Sequence, residues 1–257
     1  LGRFTLFLLS SPDAIEHVMR DGSGNYWKGD GTAMVKPVMG DGLAVAEGDL
    51  WRRQRRLMQP AFHKRAILEF APLMQASIDA MLDGWEERVG GKAFDVSVCT
   101  SNLAQGLIWR TLFGEAIEQH SDQQATELGQ ALVEVNRYMN SIVWSLLPIP
   151  EWLPTPRKRR FRRAMNLLET TVLGLIERRR QALADDPEGF EHADLLTRLL
   201  AARDQESGKG MSAAQLRDEI MTLFVAGHDT TAGAMSWTLA LLSKNPEARE
   251  RLHAEVD

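Results

Sequence analysis

The chain reads as a mainly α protein with a small β element near its N-terminus. Three observations predict this. Apolar residues recur at helical spacing over most of the 257 residues. Proline-bearing boundaries at Pro12, in the four-proline segment "LPIPEWLPTPR" and at Pro246 separate those runs. Ser212, with Gln215 three residues later, forms the pattern of a capping box ahead of the longest run.

Taken in order, "FTLFLLS" (4–10) is rich in aromatic and aliphatic residues and predicts a strand. Ser11 then offers an N-cap, Pro12 the first helical position and Gly22 a stop. Residues 28–48 are glycine-rich and read as loop, with a short helix near Ala33–Met39. Helical periodicity covers Asp49–Gln59, Lys64–Arg88, Val98–Phe113 and Asp122–Leu147. It returns at Lys158–Ala184 and Ala193–Ala202, and a polar linker, "RDQESGKG", follows. The longest helix is expected from Ser212 to about Lys244, roughly 48 Å at 1.5 Å per residue. A last helix opens at Asn245-Pro246.

The totals exclude some classes. With 44% hydrophobic and 25% charged residues the composition is that of a soluble globular protein. A net charge of −5 gives no bulk attraction to nucleic acid. One cysteine, Cys99, rules out an internal disulfide framework and suits the reducing cytoplasm, where peripheral contact with a membrane is still open. No apolar run is long enough for a transmembrane segment, and the opening "LGRFTLFLLS" lacks a signal-peptide pattern. The chain starts at Leu1 and ends within a helical pattern, so it is expected to be part of a longer protein.

Inside the longest run, "LFVAGHDTTAGAM" (223–235) breaks the rules of a buried helix with two glycines, an aspartate and two threonines. Leu223, Gly227, Thr230, Ala234 and Trp237 share one face. Glycine there lets another group approach the backbone. The Thr230 hydroxyl is expected to bond back to the carbonyl of Ala226, and that of Thr231 to Gly227, leaving a kink or bulge. Asp229 in an apolar setting needs partners, and an acid beside an alcohol can pass protons. Two readings stand: a ligand-facing notch, or a small-residue contact between helices with an ordinary polar kink.

"AGHDTT" (226–231) resembles the oxygen-binding helix signature of the cytochrome P450 family, the haem-thiolate monooxygenases. "GDLWRRQRRLMQPAFHK" (48–64) resembles the family's haem-propionate helix, with its Trp-x-x-x-Arg pattern at Trp51 and Arg55. "NYWKG", "GLAVAEG", "DLLTRLL" and "QLRDEIMTLF" extend the similarity along the chain. The resemblance implies a multi-helix P450-like fold, present as one truncated domain over 1–257 that lacks the C-terminal haem-cysteine loop and the extreme N-terminus. It implies haem (iron protoporphyrin) as cofactor, with electrons ultimately from NAD(P)H. Asp229 and Thr230 would deliver protons to dioxygen, Ala226 and Gly227 would lie over the haem, and Trp51 and Arg55 would bind a propionate. The i, i+4 spacing of that last pair agrees, and arginine's planar fork suits a carboxylate; a simple Trp–Arg packing pair is the other reading.

No metal ligand is implied in this chain. Cys99 lacks the flanking glycines of the family's ligand loop and reads as a buried structural thiol. The Glu-x-x-Arg helix is also missing, so the chain alone is expected to be inactive. The six histidines, 17, 63, 120, 192, 228 and 253, show no metal-ligand spacing, and His228 should point away from the haem. Arg52, Arg53, Arg55, Arg56, Lys64 and Arg65 form either a docking face for an acidic redox partner, such as ferredoxin with its reductase or a flavodoxin-type reductase, or a solvated surface. Six cations within 157–163 read as a solvated helix start, with a membrane or nucleic-acid contact as the alternative. Trp144, Leu146, Leu147, Ile149 and Trp152 would pack in the core or touch lipid. A lipophilic substrate pocket is expected between the loop Lys28–Val45, Met139–Val143 and Leu223–Ala226. The alternative to an enzyme is a non-catalytic helical module that binds apolar ligands.

Overall fold

In the computed structural model, residues 7–21, 23–29, 31–114, 122–143, 155–186 and 194–256 are described. The helices are, in order, α1 (Pro12–Glu16, continued by a π turn His17–Asp21), α2 (Gly31–Met39), α3 (Gly48–Met58), α4 (Lys64–Leu68), α5 (Ala71–Glu86) and α6 (Val96–Phe113). Then follow α7 (Asp122–Val143), α8 (Pro156–Asp185), α9 (Leu195–Ala201), α10 (Ala213–Lys244) and α11 (Pro246–Val256). No strand occurs among the described residues. The expected strand at 4–10 falls partly outside them, and Phe7 and Leu8 stand exposed. A strand exists only by pairing, and no second strand occurs among the described residues to pair with it.

Side-chain caps fix several helix starts. Asp95 accepts from Ser97 N at 2.8 Å, Thr155 from Lys158 N at 3.2 Å and Asp194 from Thr197 N at 2.8 Å. The capping box closes in both directions: Gln215 N donates to Ser212 Oγ (3.1 Å) and Ser212 N to Gln215 Oε1 (3.2 Å). Each cap contributes about 0.5–2 kcal/mol. The single helix expected over Lys64–Arg88 is broken at Glu69–Phe70. Pro72 explains this, because it has no N–H and its ring would meet the carbonyl four residues back.

The core forms where α6 crosses α10 and α7 lies along α8, with α2 bridging α7 and α10. Trp109 of α6 meets Phe224 of α10 edge-on at 4.2 Å between ring centres, and Tyr138 of α7 stacks on Phe161 of α8 at 4.0 Å. Such pairs add about 0.5–1.5 kcal/mol beyond burial. At the far corner Arg179 of α8 reaches Asp194 (2.7 Å) and the carbonyl of Phe113 (3.1 Å), tying α6, α8 and α9. The last buried residue of α10 is Ala232, and α11 buries none. Trp237 (69% exposed), Leu239 and Leu241 therefore stand uncovered.

Candidate functional site

The rule-breaking stretch lies near the middle of α10, where the helix passes from core to open surface. Thr230 Oγ donates to the carbonyl of Ala226 at 2.7 Å, as its spacing predicts. Thr231 makes no such bond, and α10 runs α-helical through the motif without a bulge. A carbonyl has two lone pairs, so Ala226 can accept the hydroxyl and keep its ladder bond. Ala226, Asp229, Thr230 and Ala234 are exposed on this part of the helix.

Gly227 points elsewhere. A Cβ there would stand 2.5 Å from Cδ1 of Ile108, so the space its missing side chain leaves is filled by α6. His228 is buried and lies 3.4 Å from Asn136 Nδ2 and 3.0 Å from Asp229 Oδ1. Asp229 itself is 52% exposed, so it does not sit in the apolar setting that its neighbours in sequence suggest.

Helix α3 presents Trp51 and Arg55 to solvent, and Arg55 has no acid partner among the described residues. Gln54, between them, is fully buried and donates to the carbonyl of Asp41 at 3.0 Å. The contact between α3 and α10 runs through Arg53 and Gln215 (3.4 Å), about 22 Å along the helix from Thr230 at 1.5 Å per residue. The basic cluster is only partly open. Arg56 binds Asp204 (3.1 Å) and Glu206 (2.8 Å), and Arg52 binds Asp49 (2.6 Å). The Ser207 hydroxyl, with Arg56, holds Asp204 below the usual carboxylate range. Lys64 and Arg65 remain exposed.

One buried feature escaped the sequence reading. The first half of α10 latches the loop that follows α2. Asp218 Oδ2 accepts from Asp41 N and Glu219 Oε2 from Leu43 N, both at 2.9 Å. Gly40 and Gly42 make this approach possible, since side chains there would strike the Asp218 carboxylate and Thr222 Oγ. Lys28 grips the same loop from its other side through the carbonyls of Leu43 (2.9 Å) and Ala46 (2.6 Å). Burial pushes the Glu219 carboxyl up to about 7; the Leu43 N–H and Lys28 pull it down, while Asp218 adds to the rise. The available signal was a carboxylate in phase with Leu216, Ile220 and Leu223.

The three segments expected to frame a pocket contribute to the packed core instead. Val35, Val38, Leu43, Met139, Leu223 and Val225 pack into one apolar cluster. Cys99 is half-buried rather than buried, and it lines a cavity with Trp85 and Arg110 on the α5 side of α6. The next residue, Thr100, bonds Ser236 of α10 at 2.7 Å, so Cys99 is turned away from α10. His120, His192 and the residues Trp144, Leu146, Leu147, Ile149 and Trp152 lie outside the described residues. No group of three or more His, Cys, Asp or Glu that could hold a metal occurs among the described residues.

The described residues define a mainly helical protein whose longest helix is polar at its midpoint and exposed along one side. Comparison with known proteins identifies its family. The family model for Cytochrome P450 matches residues 1–257, and the chain belongs to that family. It is 32% identical over its whole length to the cyclooctat-9-en-7-ol 5-monooxygenase of Streptomyces melanosporofaciens, covering 53% of that protein. It is 31% identical over 223 residues, 87% of the chain and 46% of the relative, to the pentalenene oxygenase of Streptomyces avermitilis. The heme domain of cytochrome P450DA superposes with a TM-score of 0.71 at 26% identity, over 88% of this chain and 47% of the other. The chain thus spans about half the length of the curated relatives it matches.

The described residues fit a haem on two observations. An uncovered helix face carries Ala226 and Thr230, and an unpaired guanidinium stands beside an exposed indole on α3. No helix among the described residues is long and apolar enough to cross a membrane.

Proposed function

We propose that this chain is the oxygen-activating and propionate-binding portion of a haem-dependent monooxygenase acting on a lipophilic substrate. The observation that carries the reading is the 2.7 Å bond from Thr230 to Ala226, on an exposed face beside Asp229 in a chain of this family. Bound there, haem supplies the redox chemistry that activates dioxygen, with electrons from NAD(P)H through a ferredoxin- or flavodoxin-type partner. The chain's own residues bind and relay. Arg55 and Trp51 donate to a propionate, as their fork and N–H donors suit. Asp229 would collect a proton from solvent, to which it is half-open, and Thr230, whose own hydroxyl hydrogen is held by the Ala226 carbonyl, would use its oxygen lone pairs to hold the species that carries the proton onward. The names of the Streptomyces relatives point to a cyclic, terpene-class hydrocarbon or alcohol as the substrate.

Two measurements test this. Titration with haem, followed by Soret absorbance, should saturate, and the Trp51→Phe/Arg55→Ala double variant should bind about tenfold or more weakly. In the full-length enzyme, Asp229→Asn should lower kcat by about 10²-fold or more. Unchanged haem affinity in a double variant of normal helicity defeats the propionate assignment. An unchanged kcat defeats the proton relay.

A further inference from the structure

Among the described residues a cavity of about 660 Å³ lies between the C-terminal end of α8, the segment after α9 and the start of α10. Four cations, Arg53, Arg180, Arg203 and Lys209, line it, and no carboxylate does. Several arginines outside the cavity lining hold acids: Arg52 with Asp49, Arg56 with Asp204, Arg179 with Asp194 and Arg217 with Glu169. The lining arginines are placed differently. Arg53 donates to the carbonyl of Gly210 (3.0 Å) and stands 3.9 Å from Asp204, which Arg56 already holds. Arg203 donates to the carbonyls of Leu200 (2.8 Å) and Ala202 (2.9 Å). Arg180 and Lys209 have no acid within ion-pair distance among the described residues.

Three uncompensated cations facing one hollow repel one another, and an anion removes that repulsion. The N-terminus of the 32-residue α10 opens beside them and adds the positive end of its dipole. We propose that this cavity binds a phosphate group. A phosphate carries about two charges, and its tetrahedral oxygens can take donors arriving from several elements at once. Guanidinium forks match it, and Lys209 supplies a point charge. Leu183 and Met211 form an apolar wall that suits the organic part of a phosphate ester. Arg53 projects from the side of α3 opposite Arg55, so occupancy would brace α3 from behind.

The test is calorimetric titration of the chain with inorganic phosphate, pyrophosphate and phenyl phosphate at physiological chloride. Saturable binding is expected, and Arg180→Gln and Lys209→Gln should each weaken it about tenfold. Arg163→Gln, an exposed cation elsewhere on α8, should leave it unchanged. Phenyl phosphate binding more tightly than inorganic phosphate identifies an ester as the occupant; equal affinity identifies free phosphate. The unaltered chain gives a second readout: pyrophosphate should protect Lys209, and not the exposed Lys92, from amine acylation mapped by mass spectrometry. No saturable binding, equal binding by the glutamine variants, or undiminished labelling of Lys209 overturns the proposal.

Discussion

Glu219 ties the molecule's stability to pH. Its carboxyl is raised from an ordinary 4.5 to about 7, chiefly by burial. An acid whose folded value is raised favours folding most below the unfolded value, and that stability is lost as pH climbs towards the folded value. The window here runs from about 4.5 to about 7, and the loss is on the order of 2–3 kcal/mol. Urea unfolding at the two ends of that window should show the decline in the native chain, and Glu219→Gln should flatten it. A slope that survives in the glutamine variant assigns the titration to other groups. Legibility at this scale followed sequence distance. The Thr230–Ala226 bond lies within one turn, so spacing makes it a candidate, although the same spacing at Thr231 yields none. The partner of Glu219 is Leu43, remote in sequence, and no local pattern reports such burial.

Helix identity was plain from periodicity, and the helix starts at Ser212 and Pro246 were plain from the cap and the proline that mark them. The break at Pro72 was missed because apolar phasing continues across it, although backbone chemistry does not. Two glycines at helix contacts should behave differently. At Gly227 the obstructing atom is the end of the Ile108 side chain, which can rotate, and alanine is the better helix former by about 1 kcal/mol. Gly227→Ala is therefore expected to change stability by less than about 1 kcal/mol. At Gly42 the neighbours include the backbone carbonyl of Asp218, 2.7 Å from an added Cβ, which belongs to α10 and cannot swing aside. Gly42→Ala should cost about 1–3 kcal/mol, measured by thermal or urea unfolding. Equal effects at the two positions would contradict this contrast.

The chain spans about half the length of the curated relatives it matches, and α10 stands uncovered beyond Ala232. The family was legible because its motifs are short and local; the basic cavity was not, because Arg53, Arg180 and Lys209 meet only once the chain has folded. Cys99 faces α5 and cannot reach the open face of α10. Haem added to the chain should therefore give no thiolate-type difference spectrum with carbon monoxide, and a thiolate spectrum that disappears in Cys99→Ser would show this orientation to be wrong. Trp237, 69% exposed on that same open face, has one more consequence. An indole bathed in water glows redder than one shielded from it, and a nearby porphyrin extinguishes it. The polypeptide thus carries its own optical gauge, dimming or shifting colour whenever something settles on its bare flank.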